Sequence, residues 1–224
     1  MESNIRVIKV KQSVLANNDA RAEKVRAKLK ENGVFLINLM SSPGAGKTTL
    51  LVSLINELKK NLRVGVIEAD MDAVVDTETI KEKTGVKAMQ LHTSGECHLD
   101  AKMVDEAITE FGLGELDLVI LENIGNLVCP AEFDTGASMN LVLLSVPEGD
   151  DKPLKYPLMF KVGEVFVFTK MDVAPYFDFD LDKVKGHILK LNKEASFYPV
   201  SAKTGEGMEE LEKAILNAVR EYKK

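Results

Sequence analysis

Cysteine is nearly absent: Cys97 and Cys129 are the only two in 224 residues, too few for the disulfide framework of a small secreted fold. No apolar run approaches the roughly 20 residues of a membrane span. The opening Met1-Glu2-Ser3-Asn4 also lacks a basic stretch followed by an apolar one. These absences lead us to expect a cytoplasmic protein. Positive charge is in deficit, with 29 Lys and Arg against 35 Asp and Glu, a net charge of −6 and a pI of about 5.3. Non-specific attraction to nucleic acid or anionic membrane is therefore not expected, and an anionic ligand has to be gripped by local positive groups. The only arginines are Arg6, Arg21, Arg26, Arg63 and Arg220. Internal repeats, low-complexity tracts and linker-like stretches are missing too.

What remains is the composition of an ordinary core-forming protein, 45% apolar and 29% charged. A single domain over residues 1–224 is expected, since α/β folds commonly hold this length in one unit. From Ser13 to Asn32, Val14, Leu15, Ala22, Val25 and Leu29 share one face among charges and Gly33 follows, which predicts an N-terminal amphipathic helix. Val34 to Leu39 is a nearly continuous apolar run, suited to a parallel strand covered on both faces. Similar runs recur at Val64 to Ile67, Val86 to Leu91, Leu116 to Leu121, Leu141 to Val146, Val165 to Phe168 and Ser196 to Val200. Helical patterns lie between most of them, at Thr49 to Leu62, Ala101 to Phe111 and Leu181 to Leu191, and Met208 to Tyr222 closes the chain. This alternation predicts an α/β fold, a doubly wound, mostly parallel sheet with helices on both faces. The polar stretch Pro147 to Pro157 reads as a surface loop.

Directly after the first strand comes Ser41-Ser42-Pro43-Gly44-Ala45-Gly46-Lys47-Thr48-Thr49 and then a helix, the context a phosphate-binding P-loop requires. Gly44, Ala45 and Gly46 let main-chain N–H groups curve around phosphates at the positive end of the helix. Lys47 is expected to neutralise the β- and γ-phosphates, Thr48 to place a hydroxyl on magnesium, and Thr49 to reach the α-phosphate. Ser41 stands where the usual pattern has glycine. Two acidic segments follow later strands. Glu68-Ala69-Asp70-Met71-Asp72 offers Asp70 to magnesium, directly or through water, with Asp76 in a nucleotide-sensing loop. Glu122-Asn123-Ile124-Gly125 has the carboxylate and glycine spacing by which a loop serves the metal and senses γ-phosphate. Such acids also occur as plain helix caps.

Base choice turns on Thr169-Lys170-Met171-Asp172. The Asp172 carboxylate can accept from guanine's N1–H and 2-amino group, a donor pair that adenine lacks. Lys170 would lay its stem across the ring, and Ser201-Ala202-Lys203 would offer a main-chain N–H to the guanine carbonyl. Thr169 replaces the usual asparagine, which shortens one base or loop-bracing contact. Glu96-Cys97-His98-Leu99-Asp100 opens the helix near Ala101, where a helix N-terminus is expected to lower the thiol pKa. Cys129-Pro130 follows Gly125 by four residues. Thiolate and imidazole suit nickel, zinc or copper(I), but a tetrahedral site takes about four ligands and one chain offers three. A water, a carboxylate or a second chain would complete it. Read without a ligand, the same residues are two half-buried cysteines and a helix-capping histidine.

Ser42 to Thr49, Gly95 to Asp100, Glu122 to Pro130 and Glu148-Gly149-Asp150-Asp151 together resemble the hydrogenase nickel-incorporation GTPases, the HypB family of SIMIBI-class P-loop proteins, over essentially the whole chain. The resemblance implies GTP hydrolysis to GDP and phosphate, with Lys47, Thr48, Asp76, Glu122 and Gly125 as the catalytic group and Thr48, Asp70, Asp76 and Glu122 around magnesium. It also implies GTP-dependent homodimerisation and binding of nickel or zinc by Cys97, His98 and Cys129 near the dimer interface. The implied partners are a HypA-type metallochaperone and the [NiFe]-hydrogenase large subunit. Neither a Cys-rich motif nor a His-rich stretch precedes the first strand, so the high-affinity N-terminal metal site of some members is not expected. The urease accessory GTPases, UreG, are a related alternative, although they carry a Cys-Pro-His motif. Further alternatives are a signalling or assembly GTPase with structural cysteines and an ATP-preferring small-molecule kinase.

Overall fold

The computed structural model of the chain describes residues 10–70 and 75–224, so Met1-Glu2-Ser3-Asn4, Arg6, Met71 and Asp72 lie outside the described residues. Seven strands form one sheet: β1 (Phe35–Met40), β2 (Val64–Asp70), β3 (Lys87–His92), β4 (Leu118–Glu122), β5 (Met139–Ser145), β6 (Val165–Thr169) and β7 (Ser196–Pro199). Their order is β3-β2-β4-β1-β5-β6-β7, and every pairing is parallel. The predicted doubly wound α/β class is borne out.

The apolar strands are continuous because both faces are covered. In β1 all six residues are buried. Phe35, Ile37 and Leu39 point to one face, where α2 (Lys47–Leu58), α3 (Val75–Thr84) and α8 (Met208–Tyr222) pack. Leu36 points to the other, against α1 (Val10–Asn32) and α4 (Ala101–Phe111). Met40, on that same face, joins the core under α6 (Pro157–Val162) and α7 (Leu181–Leu191). Gly65 in β2 is required by this packing, since a Cβ there would stand 2.6 Å from the Phe111 ring. The chain winds from β1 outward to β2 and β3, returns through β4, then crosses to β5, β6 and β7. Ligands of open parallel sheets collect at the strand C-termini beside such a reversal.

Three local expectations are corrected. Asp76, expected in a loop, lies in the first turn of α3, a helix whose only buried residues are Ile80 and Thr84. The stretch read as a Pro147–Pro157 loop contains a 3-10 turn (Val146–Glu148) and α5 (Lys152–Lys155), and α6 begins at Pro157. Its prolines start helices, where a missing N–H costs nothing. On α1, Ala22, Val25 and Leu29 are buried as expected, but Val14 is half exposed and polar Asn18 is buried in the same stripe. Among the described residues no helix is long and apolar enough to cross a membrane.

Candidate functional site

The loop between β1 and α2 is built to face an anion. Gly44 and Gly46 have left-handed φ values of 77° and 92°, which side-chain-bearing residues resist. A Cβ at Gly44 would meet nothing within 4 Å, so the hollow in front of it is open. Gly46 caps α2 without any side-chain bond, leaving the first-turn N–H groups to a ligand. Ser41 is buried, donates to the Ser42 carbonyl at 2.8 Å and keeps an ordinary φ, so its position does not demand glycine.

Three side chains brace this loop from other elements. Thr169 Oγ1 donates to the Ala45 carbonyl at 2.7 Å, so the bracing contact expected to be shortened by the missing asparagine is made by a hydroxyl. Lys170 Nζ donates to the Gly44 carbonyl at 2.7 Å. Ser42 Oγ donates to Glu148 Oε1, while Glu148 Oε2 accepts from Ser145 N at 2.8 Å and Ser145 Oγ at 2.7 Å. Glu148 was visible only as part of a motif; the structure makes it the strut between the P-loop and the end of β5.

Beyond the loop, ligand oxygens of Glu68, Asp76 and Glu122 all lie within 4.8 Å of one another. Thr48 Oγ1 donates to Asp76 Oδ1 at 3.0 Å, and Thr77 Oγ1 to Glu68 Oε2 at 3.1 Å. Both oxygens of Glu122 are buried without a hydrogen-bond donor, and Lys47 Nζ stands 3.9 Å away. A buried carboxylate with orphaned oxygens beside two further acids is the environment a hard divalent cation compensates, so these residues fit magnesium. Asp70, at the end of β2, is not in the trio. Glu68 was missed, although a glutamate inside an otherwise apolar strand is itself a signal.

Burial, with the neighbouring acids adding, raises Glu122 to about 8 against the pull of Lys47. Burial likewise raises Glu68 to about 7, opposed by the Thr77 hydroxyl. Both hold protons more tightly folded than unfolded, so their favourable contribution is complete below the ordinary carboxylate range and disappears as pH climbs through these values. Thermal unfolding in chelator is therefore expected to show stability falling from about pH 5 to about pH 8, with Glu122→Gln flattening the slope. A divalent cation held by these carboxylates would compete with the protons, so its stabilising effect should grow over the same interval.

Gly125 closes against the P-loop: a Cβ there would stand 3.1 Å from Pro43 Cγ and 3.2 Å from Pro43 N. Behind it, buried Asn123 donates to Asn38 Oδ1 at 3.0 Å and accepts from Ile124 N at 2.9 Å. Asn38 in turn donates to Asn140 Oδ1 at 3.0 Å. This amide chain across β4, β1 and β5 holds the Glu122–Gly125 loop to the sheet and had no local sequence signature.

At the base end, Lys170 adopts φ 61° and Asp172 follows in the 3-10 turn Met171–Tyr176. Asp172 Oδ1 accepts from Ser201 Oγ at 2.8 Å, and Met171 N donates to the Val200 carbonyl at 3.1 Å. The two segments expected to hold the base thus meet, with Ala202 and Lys203 in the turn that follows.

Cys97 and His98 adjoin, and the Cys129 thiol is near enough to influence Cys97, but the three ligand atoms do not all lie within 4.8 Å of one another; among the described residues only the Glu68, Asp76 and Glu122 trio is that compact. Cys97 Sγ lies 3.9 Å from His98 Nδ1, and the His98 ring stacks on Phe133 with centroids 3.9 Å apart. The expected low thiol pKa at Cys97 is corrected. The neighbouring Cys129 thiol, then burial, pushes it up, and α4 is capped three residues later by Asp100, which accepts from Met103 N at 2.8 Å. Two thiols and an imidazole are donor types suited to a borderline-soft metal, and the three must draw closer together to share one ion.

The comparisons agree with this geometry. The family model of the CobW/HypB/UreG nucleotide-binding domain matches residues 35–199. The chain is 44% identical over 207 residues to the hydrogenase maturation factor HypB of Rhizobium leguminosarum bv. viciae, spanning 92% of this chain and 69% of that protein. It is 42% identical to the hydrogenase/urease maturation factor HypB of Helicobacter hepaticus, spanning 92% and 85%. The crystal structure of HypB from Helicobacter pylori in complex with nickel superposes with a TM-score of 0.85 at 39% identity, covering 92% of this chain and 96% of that one. A P-loop braced from neighbouring strands of one parallel sheet, together with these matches, places the chain in the HypB family of P-loop nucleotide-binding proteins.

Proposed function

We propose that this chain is a GTP-hydrolysing metallochaperone that carries nickel toward [NiFe]-hydrogenase during its maturation. The observation that carries the reading is the continuity of one short segment. Gly125, packed on the P-loop, is followed within four residues by Cys129, whose thiol is near enough to Cys97 to raise its pKa. Nucleotide state and metal ligation thereby share a piece of backbone.

In this reading Gly44, Ala45, Gly46 and Lys47 hold the β- and γ-phosphates, Thr49 reaches the α-phosphate, and Asp172 selects guanine with Lys170, Ser201 and Ala202 around the ring. Thr48, Asp76, Glu122 and Glu68 hold magnesium directly or through water, with Asp70 at the margin; the ion supplies charge neutralisation on the phosphates. The Gly125 N–H meets the γ-phosphate, and a water displaces GDP from it. Arg26 is ion-paired with Asp134 at 2.5 Å and Arg63 with Asp117 at 2.9 Å. Among the described residues no arginine belongs to the phosphate-facing loops, so intrinsic turnover is expected to be slow. Single-turnover hydrolysis by dilute monomer checks this, and fast release of phosphate contradicts it.

Nickel is the cargo, with zinc a competitor for the thiolates. Cys97, His98 and Cys129 supply three ligands, and a second copy paired in the GTP state would complete the set. Hydrolysis then separates the copies, and a site that loses half its ligands hands its metal onward. A HypA-type metallochaperone and the hydrogenase large subunit are the receiving partners proposed. Cys129-Pro130-Ala131 lacks the histidine of the urease-type motif, which favours the hydrogenase client. The test titrates nickel and zinc against the GDP form and a non-hydrolysable GTP form while recording mass. The expected result is a dimer with higher metal occupancy in the GTP form. Identical metal binding and mass in both forms contradicts the reading.

A further inference from the structure

Two asparagine side chains hold the metal-ligand segments, and they belong to different parts of the molecule. Asn126 directly follows Gly125. Its Nδ2 donates across 29 positions of sequence to the Cys97 carbonyl at 3.2 Å, and its Oδ1 accepts from Val128 N at 2.8 Å. One amide thus closes the turn that leads into Cys129 and grips the backbone of Cys97.

Asn18 sits on α1, away from the phosphate loop, and is only 6% exposed. Its Oδ1 accepts from Ala101 N at 2.8 Å, just beyond His98. Its Nδ2 donates to the Asp134 carbonyl at 2.8 Å, just beyond Phe133, which stacks on His98. Asp134 is fixed again to α1 by Arg26, at 3.0 and 2.5 Å. The far ends of both ligand segments are therefore tied to a helix with no part in nucleotide binding. Their near ends are tied, through Asn126, to the residue that faces the P-loop.

We infer that Asn126 is the positioning residue through which the phosphate-facing loop moves Cys97, and that it sets how far nucleotide state changes metal affinity, while Asn18 fixes the frame against which that movement occurs. This rests on the proposed nickel-carrying function and names the regulator of that same site. When the Glu122–Gly125 segment shifts around a γ-phosphate, Cys129 moves because it is covalently attached. Cys97 moves only because Asn126 holds its carbonyl. Without the amide donor, Cys97 and His98 stay with the α1 frame and the two thiols are no longer displaced together.

Coupling between sites is a ratio of affinities, so the test measures ratios. The nickel dissociation constant is determined for the full chain loaded with GDP and with a non-hydrolysable GTP analogue, in the unsubstituted protein, Asn126→Asp, Asn126→Ala and Asn18→Asp. Asn126→Asp keeps the acceptor for Val128 N and removes the donor to Cys97; Asn126→Ala repeats the loss without adding charge and decides between them. The unsubstituted chain is expected to show a ratio in the range of about 5 to 150 typical of allosteric coupling. Both Asn126 variants should fall to within about twofold of unity, and Asn18→Asp should weaken nickel in both nucleotide states while keeping the ratio. A ratio retained in Asn126→Ala overturns the inference and leaves the proposed function standing. A ratio of one in the unsubstituted chain overturns both, because no nucleotide–metal linkage then exists.

Discussion

Replacing Asp172 with asparagine is expected to lower GTP affinity by about a hundredfold or more while leaving ATP as weak as before. In the proposed function the carboxylate accepts two charge-assisted hydrogen bonds from guanine, each worth about 1.5 to 3 kcal/mol, and about 1.4 kcal/mol is tenfold in binding. An asparagine keeps one acceptor and turns a donor toward the 2-amino group, which repels it. Xanthosine triphosphate, with a carbonyl at that position, should gain affinity in the same variant. The fold should survive, since the oxygen that accepts from Ser201 at 2.8 Å is retained in the amide. Competition of GTP, ATP and XTP against a labelled GDP reads all three affinities. Unchanged preference for GTP would remove the basis for assigning the base segment.

The second large effect concerns the thiol pair. Cys129→Ala removes a metal ligand outright, and the loss in nickel affinity should exceed the roughly 10- to 100-fold that accompanies loss of an outer-shell partner. It also removes the first cause of the upward shift at Cys97, the neighbouring Cys129 thiol. More of Cys97 is then thiolate at neutral pH, so its alkylation by a small electrophile should accelerate. GDP affinity supplies the control, because neither cysteine is among the residues proposed to hold nucleotide. Slower alkylation in the variant contradicts the contact, and unchanged nickel affinity contradicts the ligand assignment.

The elements that repeat a simple period were legible before any coordinates. Apolar runs such as Val165 to Phe168 became strands, and α4, α7 and α8 have the bounds that their apolar spacing implies. Helix α3 was not, because only Ile80 and Thr84 anchor it and the rest of its surface is polar. The P-loop and base segment were readable because their chemistry is confined to consecutive residues. Glu148, Asn18 and Asn126 act across tens of residues, through bonds whose partners are often backbone atoms. Those partners carry no residue identity, so nothing in a one-dimensional string marks them. The Cys97 thiol was misjudged for a related reason. Local position suggested a helix terminus, whereas the group that governs it, Cys129, is brought there only by the sheet.

Thr169, Lys170 and Glu148 hold the anion-binding loop in its curved form from outside, through bonds that involve no nucleotide. A receptor already shaped in this way spends little of its affinity on reorganisation, and the fraction of molecules competent to capture a ligand is high. Arrival of GTP should then proceed at a rate set by encounter, and the residence time of GDP becomes the quantity that governs how often the cycle can restart.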